Sequence, residues 1–153
     1  MPDKKISELT EDTSPIAANF MVEVDSGGAS KKVSMASIAK TLVFSKSFVI
    51  TSPTASADTP LWRVPVAITI TAIHVLCIGG TSITGQLWEY DTNGANGTVV
   101  DDSDITGTAG TNVDDDGTLS NASIASGNYL GWVTTSVSGT ITRAIITFEY
   151  VLV

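Results

Sequence analysis

Apolar and polar residues alternate along much of the chain, most clearly at its end. There Ala144, Ile146, Phe148, Tyr150 and Leu152 are interleaved with Arg143, Thr147 and Glu149. Side chains of a strand point alternately to its two faces, so residues 140–153 are expected to form a half-buried strand. Ser138-Gly139 is a tight-turn signal, and residues 129–137 supply the partner strand of a hairpin. Residues 66–78 hold no Gly or Pro and are rich in Ile, Val and Thr. At period two, Ile68, Ile70, Ala72, His74, Leu76 and Ile78 share one face. On the other face Thr69 and Thr71 give way to Ile73, Val75 and Cys77. Either this strand passes from half-buried to buried on both faces, or it contains a bulge. Shorter strands are expected at 61–64 and 85–90, and in pieces between 98 and 118 separated by acidic turns. About eight short strands at this spacing predict a β-sandwich of jelly-roll type.

The first residues follow a different pattern. Residues 1–15 are polar with two apolar pegs, Ile6 and Leu9. A strand at 16–24, the turn Asp25-Ser26-Gly27-Gly28 and a return through Lys31-Lys32-Val33 predict a small hairpin. Ser34 is a good N-cap for a helical turn over 35–42, with Met35, Ile38, Ala39 and Leu42 apolar. A hairpin and one short helix bury too little surface to fold robustly alone. The module therefore packs on its own sandwich, or against other copies or a larger partner; the second is preferred. Its candidate attachment residues are Ile6, Leu9, Phe20, Val22, Val33, Met35, Ile38 and Leu42. Residues 51–60 have a loop composition rich in Ser, Thr, Pro and Ala. The expected organisation is mainly β: an attachment module at 1–46, a connector at 47–60 and a jelly-roll-like sandwich at 61–153.

Composition agrees with strands and turns. The chain of 153 residues is 42% hydrophobic and only 16% charged, against about 25% charged in typical domains. Its net charge of −8 is unevenly placed. Residues 1–46 hold six lysines and six acids, whereas 47–153 hold Arg63 and Arg143 against ten acids. An acidic sandwich repels phosphate, so nucleic acid is not an expected partner. No run approaches the roughly 18 apolar residues of a membrane span, and no membrane partner is expected. Lys4 and Lys5 are followed by Ser7, Glu8 and Glu11 rather than an apolar stretch, so a secretory signal is not expected.

Candidate chemistry is sparse. The single histidine, His74, sits on the apolar face of the long strand and reads as a core residue, which leaves no nucleophile–base pair. One His and one Cys do not make a zinc site. Asp101-Asp102-Ser103-Asp104 and Asp114-Asp115-Asp116-Gly117 carry hard oxygen ligands, but neither has the spacing of an EF-hand loop. Solvated turns are the simpler account. No enzyme activity, cofactor or metal is expected. Gln86, Trp88 and Tyr90 fall on one face of a strand and form the candidate ligand surface.

Lys5-Ile6-Ser7-Glu8-Leu9 resembles the "KISEL" start of virion structural proteins of tailed bacteriophages, which is followed some 20 residues later by a hairpin and a capped helical turn. The counterparts here are residues 20–24, Gly27-Gly28, Lys31-Lys32-Val33 and the residues after Ser34. Residues 65–71 (PVAITIT) and 134–140 (TTSVSGT), with the closing aromatic strand, are similar to β-sandwich domains of phage appendages. The resemblance implies a virion protein that attaches through its N-terminal module. Long receptor-binding fibres carry a shaft after such a module, and this chain has only its connector, which favours a compact decoration. The expected function is a head-decoration or cement protein, a homotrimer bound to the major capsid protein or another virion subunit. The alternative is a short tail spike, tail fibre or adhesin that binds host glycans through its sandwich.

Overall fold

The computed structural model describes residues 21–26, 29–34, 38–114 and 119–153. The chain divides into two compact units, Met1–Thr41 and Leu42–Val153. In the first unit, β1 (Met21–Ser26) pairs antiparallel with β2 (Ala29–Ser34), with Met21 opposite Ser34 and Val22 opposite Val33. This is the expected hairpin, with its first strand ending at Ser26. Ile38 and Ala39 have helical backbone, and the Thr41 amide donates to the Ile38 carbonyl at 3.0 Å, as does the Thr41 hydroxyl at 2.8 Å. Ile6, Leu9, Phe20 and Met35 lie outside the described residues.

The second unit holds β3 (Phe44–Thr51), β4 (Asp58–Arg63), β5 (Ile68–Gly79), β6 (Ser82–Tyr90), β7 (Thr98–Val99), β8 (Ile105–Thr108), β9 (Asn112–Asp114), β10 (Ser123–Ile124), β11 (Tyr129–Ser138) and β12 (Ile141–Leu152). One sheet has the order β10-β5-β12-β3, with β9 also on β5; the other has the order β4-β11-β6-β7, with β8 also on β6. Read inward from the ends, the partners in order are β3 with β12, β4 with β11, β5 with β10, and β6 with β7. That is one long antiparallel hairpin rolled up so that successive pairs alternate between two sheets, which is a jelly roll. All named strand pairs in the two sheets are antiparallel.

Residues 47–60, expected to be a connector, belong largely to the sandwich. β3 is its outermost strand in one sheet, with Phe48 opposite Ile146 and Ile50 opposite Ala144. The missed signal is an alternation of Phe44, Lys46, Phe48 and Ile50 with Ser45, Ser47, Val49 and Thr51, which the inward-facing Lys46 disguises. The Lys46 ammonium lies 4.1 Å from the centre of the Trp62 ring, a cation–π contact. Trp62 in turn packs on Phe148 at 5.9 Å and Tyr150 at 5.6 Å.

The long strand is bulged. Ala72 faces Glu149 and Ile70 faces Tyr150, which leaves Thr71 as an extra residue. The inward set therefore shifts phase, from Ile68 and Ile70 to Ile73, Val75 and Cys77. His74 is thereby turned to the outer face, which corrects its expected place in the core; its Nε2 lies 3.6 Å from Glu149 Oε1. The core joins these residues to Ala144, Ile146 and Phe148 of β12 and to Ile83, Leu87, Leu130 and Trp132 of the facing sheet. Cys77 is buried, and burial pushes its thiol above the usual range. Among the described residues, no helix is long and apolar enough to cross a membrane.

Candidate functional site

β6 sends Leu87 into the core and Gln86, Trp88 and Tyr90 to the opposite face, where all three are half-buried. The Trp88 indole N–H donates to Gln86 Oε1 at 3.3 Å, and the Trp88 and Tyr90 rings stack with centroids 6.3 Å apart. The structure thus brings the three predicted surface residues together.

Two glycines fix the position of the Tyr90 ring. A Cβ at Gly131 would come within 2.9 Å of Tyr90 Cε2, and a Cβ at Gly97 within 2.8 Å of Cε1. The ring therefore lies across bare backbone on both edges. Its hydroxyl reaches β4 and donates to Asp58 Oδ2 at 2.7 Å. Burial, reinforced by the Asp58 carboxylate, pushes the Tyr90 phenol well above its usual range, so it remains a neutral donor.

Beside this pair is a recess of about 250 Å³, lined by Asp58, Pro60, Tyr90, Thr92, Asn93, Gly94, Tyr129 and Leu130. Its loop wall is built around Asp91. The Asp91 Oδ1 accepts the amides of Asn93 at 2.9 Å and Ala95 at 3.0 Å, and Oδ2 accepts the Asn96 side-chain amide at 2.7 Å. Those bonds, the Ala95 amide foremost, hold the Asp91 carboxyl below its usual range. Gly94 and Asn96 take positive φ, as the two Asn-Gly steps of this loop favour. Asp58, Pro60 and Tyr129 were not singled out in the sequence. Asp58 and Pro60 fell in the expected connector, and the pairing of Tyr129 with Tyr90 across β11 and β6 is visible only from the register.

In the first acidic cluster Asp102, Ser103 and Asp104 are exposed, as expected of a solvated turn, and Asp101 departs from that expectation. Asp101 is buried, and its carbonyl accepts the Ser120 hydroxyl at 2.7 Å. Asp104 Oδ2 accepts the Thr135 hydroxyl at 2.8 Å. Asp115 and Asp116 lie outside the described residues. Among the described residues no group of three His, Cys, Asp or Glu side chains is placed to hold a metal ion.

No protein-family model and no curated protein matches the chain. Among solved structures it is similar to a chain from Bacillus endospore appendages, described as a family of disulfide-linked pili. That alignment has 13% identity and a TM-score of 0.38, and covers 72% of this chain and 89% of the other. A chain of infectious bursal disease virus, Gx strain, aligns with 12% identity and a TM-score of 0.36, covering 87% of this chain and 38% of the viral one. The Gt strain gives 10% identity and a TM-score of 0.38, with 86% and 42% covered. This chain spans well under half of each viral chain. All three neighbours come from structural assemblies, a pilus and a virus. Likeness at these scores carries no argument about role.

Proposed function

We propose that the chain is a virion structural subunit that decorates a capsid, docking through its N-terminal unit and through the end of the jelly roll at which β3 begins. The observation that carries this reading is an apolar end. Tyr150 pairs with Phe44, Leu152 pairs with Ile68, and the Val153 amide donates to the Ala67 carbonyl at 3.2 Å. Leu42, Val43, Val66 and Val153 flank those contacts at one end of the β5–β12–β3 sheet. They are 50%, 60%, 50% and 65% exposed. Clustered exposed apolar residues on a soluble domain mark a surface that another protein covers. The partners on this reading are the major capsid protein or another virion subunit, and further copies of the chain in a homotrimer. Several arms per oligomer combine through high effective concentration. The resemblance of residues 5–9 to phage virion modules supports the same placement.

The test is occupancy on particles. Val43→Asp with Val153→Asp should abolish decoration and leave the melting temperature nearly unchanged, because neither residue is in the core. Wild-type occupancy by this variant would refute the docking surface. A second reading, a short tail spike, tail fibre or adhesin that binds host glycans, is favoured by the recess beside Tyr90. Imaging of labelled particles separates head from tail.

A further inference from the structure

We propose that the recess between β4, β11 and the 91–97 loop is a binding site for a single neutral pyranose ring. The inference deepens the glycan-binding reading and is independent of where the subunit sits on a particle.

The lining has the two kinds of surface that a sugar presents. A pyranose has an apolar C–H face and a rim of hydroxyls. Tyr90, Tyr129 and Pro60 supply apolar and aromatic walls, Leu130 lines the recess with its side chain turned into the core, and Asp58, Asn93 and Thr92 supply polar atoms. Asp58 is the anchor. Its Oδ2 accepts the Tyr90 hydroxyl, which fixes the carboxylate and leaves Oδ1 able to accept a ligand hydroxyl in a charge-assisted bond. The walls are set before any ligand arrives. Gly131 and Gly97 seat the Tyr90 ring, and the Asp91 carboxylate holds the opposing loop through two backbone amides and the Asn96 side chain. Preorganisation of this kind reduces the ordering cost of binding.

Size and charge narrow the ligand. About 250 Å³ is below the roughly 300–1,000 Å³ of sites for drug-sized molecules, which suits one sugar ring better than two. A carboxylate in the recess, within a segment that carries all of the −8 net charge, disfavours uronic and sialic acids.

The experiment follows backbone amides of the isotope-labelled full chain by NMR. The probes are methyl glycosides of glucose, galactose, mannose and N-acetylglucosamine, with N-acetylneuraminic acid and tetramethylammonium for comparison. The proposal expects at least one neutral glycoside to shift Asn93, Gly94, Tyr129 and Leu130, with Kd of about 1–10 mM. Asp58→Ala and Tyr129→Ala should each weaken that binding at least tenfold and keep the wild-type melting profile. Thr147→Ala, on the outer face of the other sheet, should bind like wild type. Gly131→Ala gives a second route, since displacing the Tyr90 ring should weaken binding with Asp58 and Tyr129 intact. Silence with every neutral glycoside, or a response to tetramethylammonium alone, overturns the proposal. Shifts confined to Gln86 and Trp88 also overturn it. A glycan array run in parallel separates the two levels: array binding with a silent recess leaves the glycan-binding reading standing, and no binding in either assay removes both.

Discussion

Thr134 and Trp132 place polar atoms where the core gives them nothing to bond. Thr134 Oγ1 and Trp132 Nε1 are buried without a hydrogen-bond partner among the described residues. An unsatisfied buried hydroxyl costs about 1–3 kcal/mol. Thr134→Val, which keeps the shape and removes the hydroxyl, should therefore hold or raise stability by up to about 1 kcal/mol in denaturant unfolding. Gly85 shows the opposite constraint. A Cβ there would stand 2.5 Å from the Val133 carbonyl oxygen and 2.7 Å from the Trp132 ring. Backbone cannot yield as a side-chain tip can, so Gly85→Ala should cost about 1–3 kcal/mol in the same assay. Glu89 is satisfied where Thr134 is not. Its carboxylate accepts the side-chain amides of Asn121 at 2.7 Å and Asn128 at 2.8 Å and the Ala125 amide at 3.1 Å. One side chain thus ties the 121–128 segment to the end of β6.

The strands of clean alternation were legible in the sequence at the level of elements. β11 and β12 were expected within a residue or two of their observed ends, because the Ser138-Gly139 turn separates them and Ala144 to Leu152 alternate cleanly in sequence. β3 was not expected, because a lysine stands at an inward position of an edge strand. An inward charge on an edge strand also discourages pairing with a further strand, so the residue that hid the strand also protects it. The phase change in β5 was visible as two alternatives, and only the register with β12 assigns it to a bulge at Thr71. The recess was the least legible feature. Its residues come from β4, β6, β11 and a loop, and no local period connects them. The loop carries a pH prediction. The folded pKa of Asp91 lies below its usual value of about 3.9, so its stabilisation is present above that value and is lost as pH falls through the lower folded pKa. Amide exchange at Asn93 and Ala95 should accelerate in that acid range with the β12 amides still protected. Unchanged exchange at these two sites after Asp91 protonates would contradict the assigned role.

Over the whole molecule, the division at Thr41 and Leu42 places β3 with the sandwich. Removal of residues 1–41 should leave the melting transition of the jelly roll close to that of the full chain, because its buried core lies between Ile50 and Phe148. Removal of 1–46 also deletes Phe44, which stacks on Tyr150 at 5.6 Å, and Lys46, and should lower the transition by several degrees. Equal melting of the two truncated proteins would argue against β3 as a structural strand. The rolled hairpin also decides where this scaffold can carry a passenger. Its two outermost strands are neighbours, so Val153 emerges beside Leu42, at the end proposed above to dock. If that end docks as proposed, a peptide fused after Val153 would be delivered toward the partner's surface. The exposed residues Thr54 and Ala55 follow Ser52, whose amide bonds to the Thr142 carbonyl at the opposite end of β12. On the same proposal, an antigen or affinity tag inserted between Thr54 and Ala55 would be presented away from the docked end.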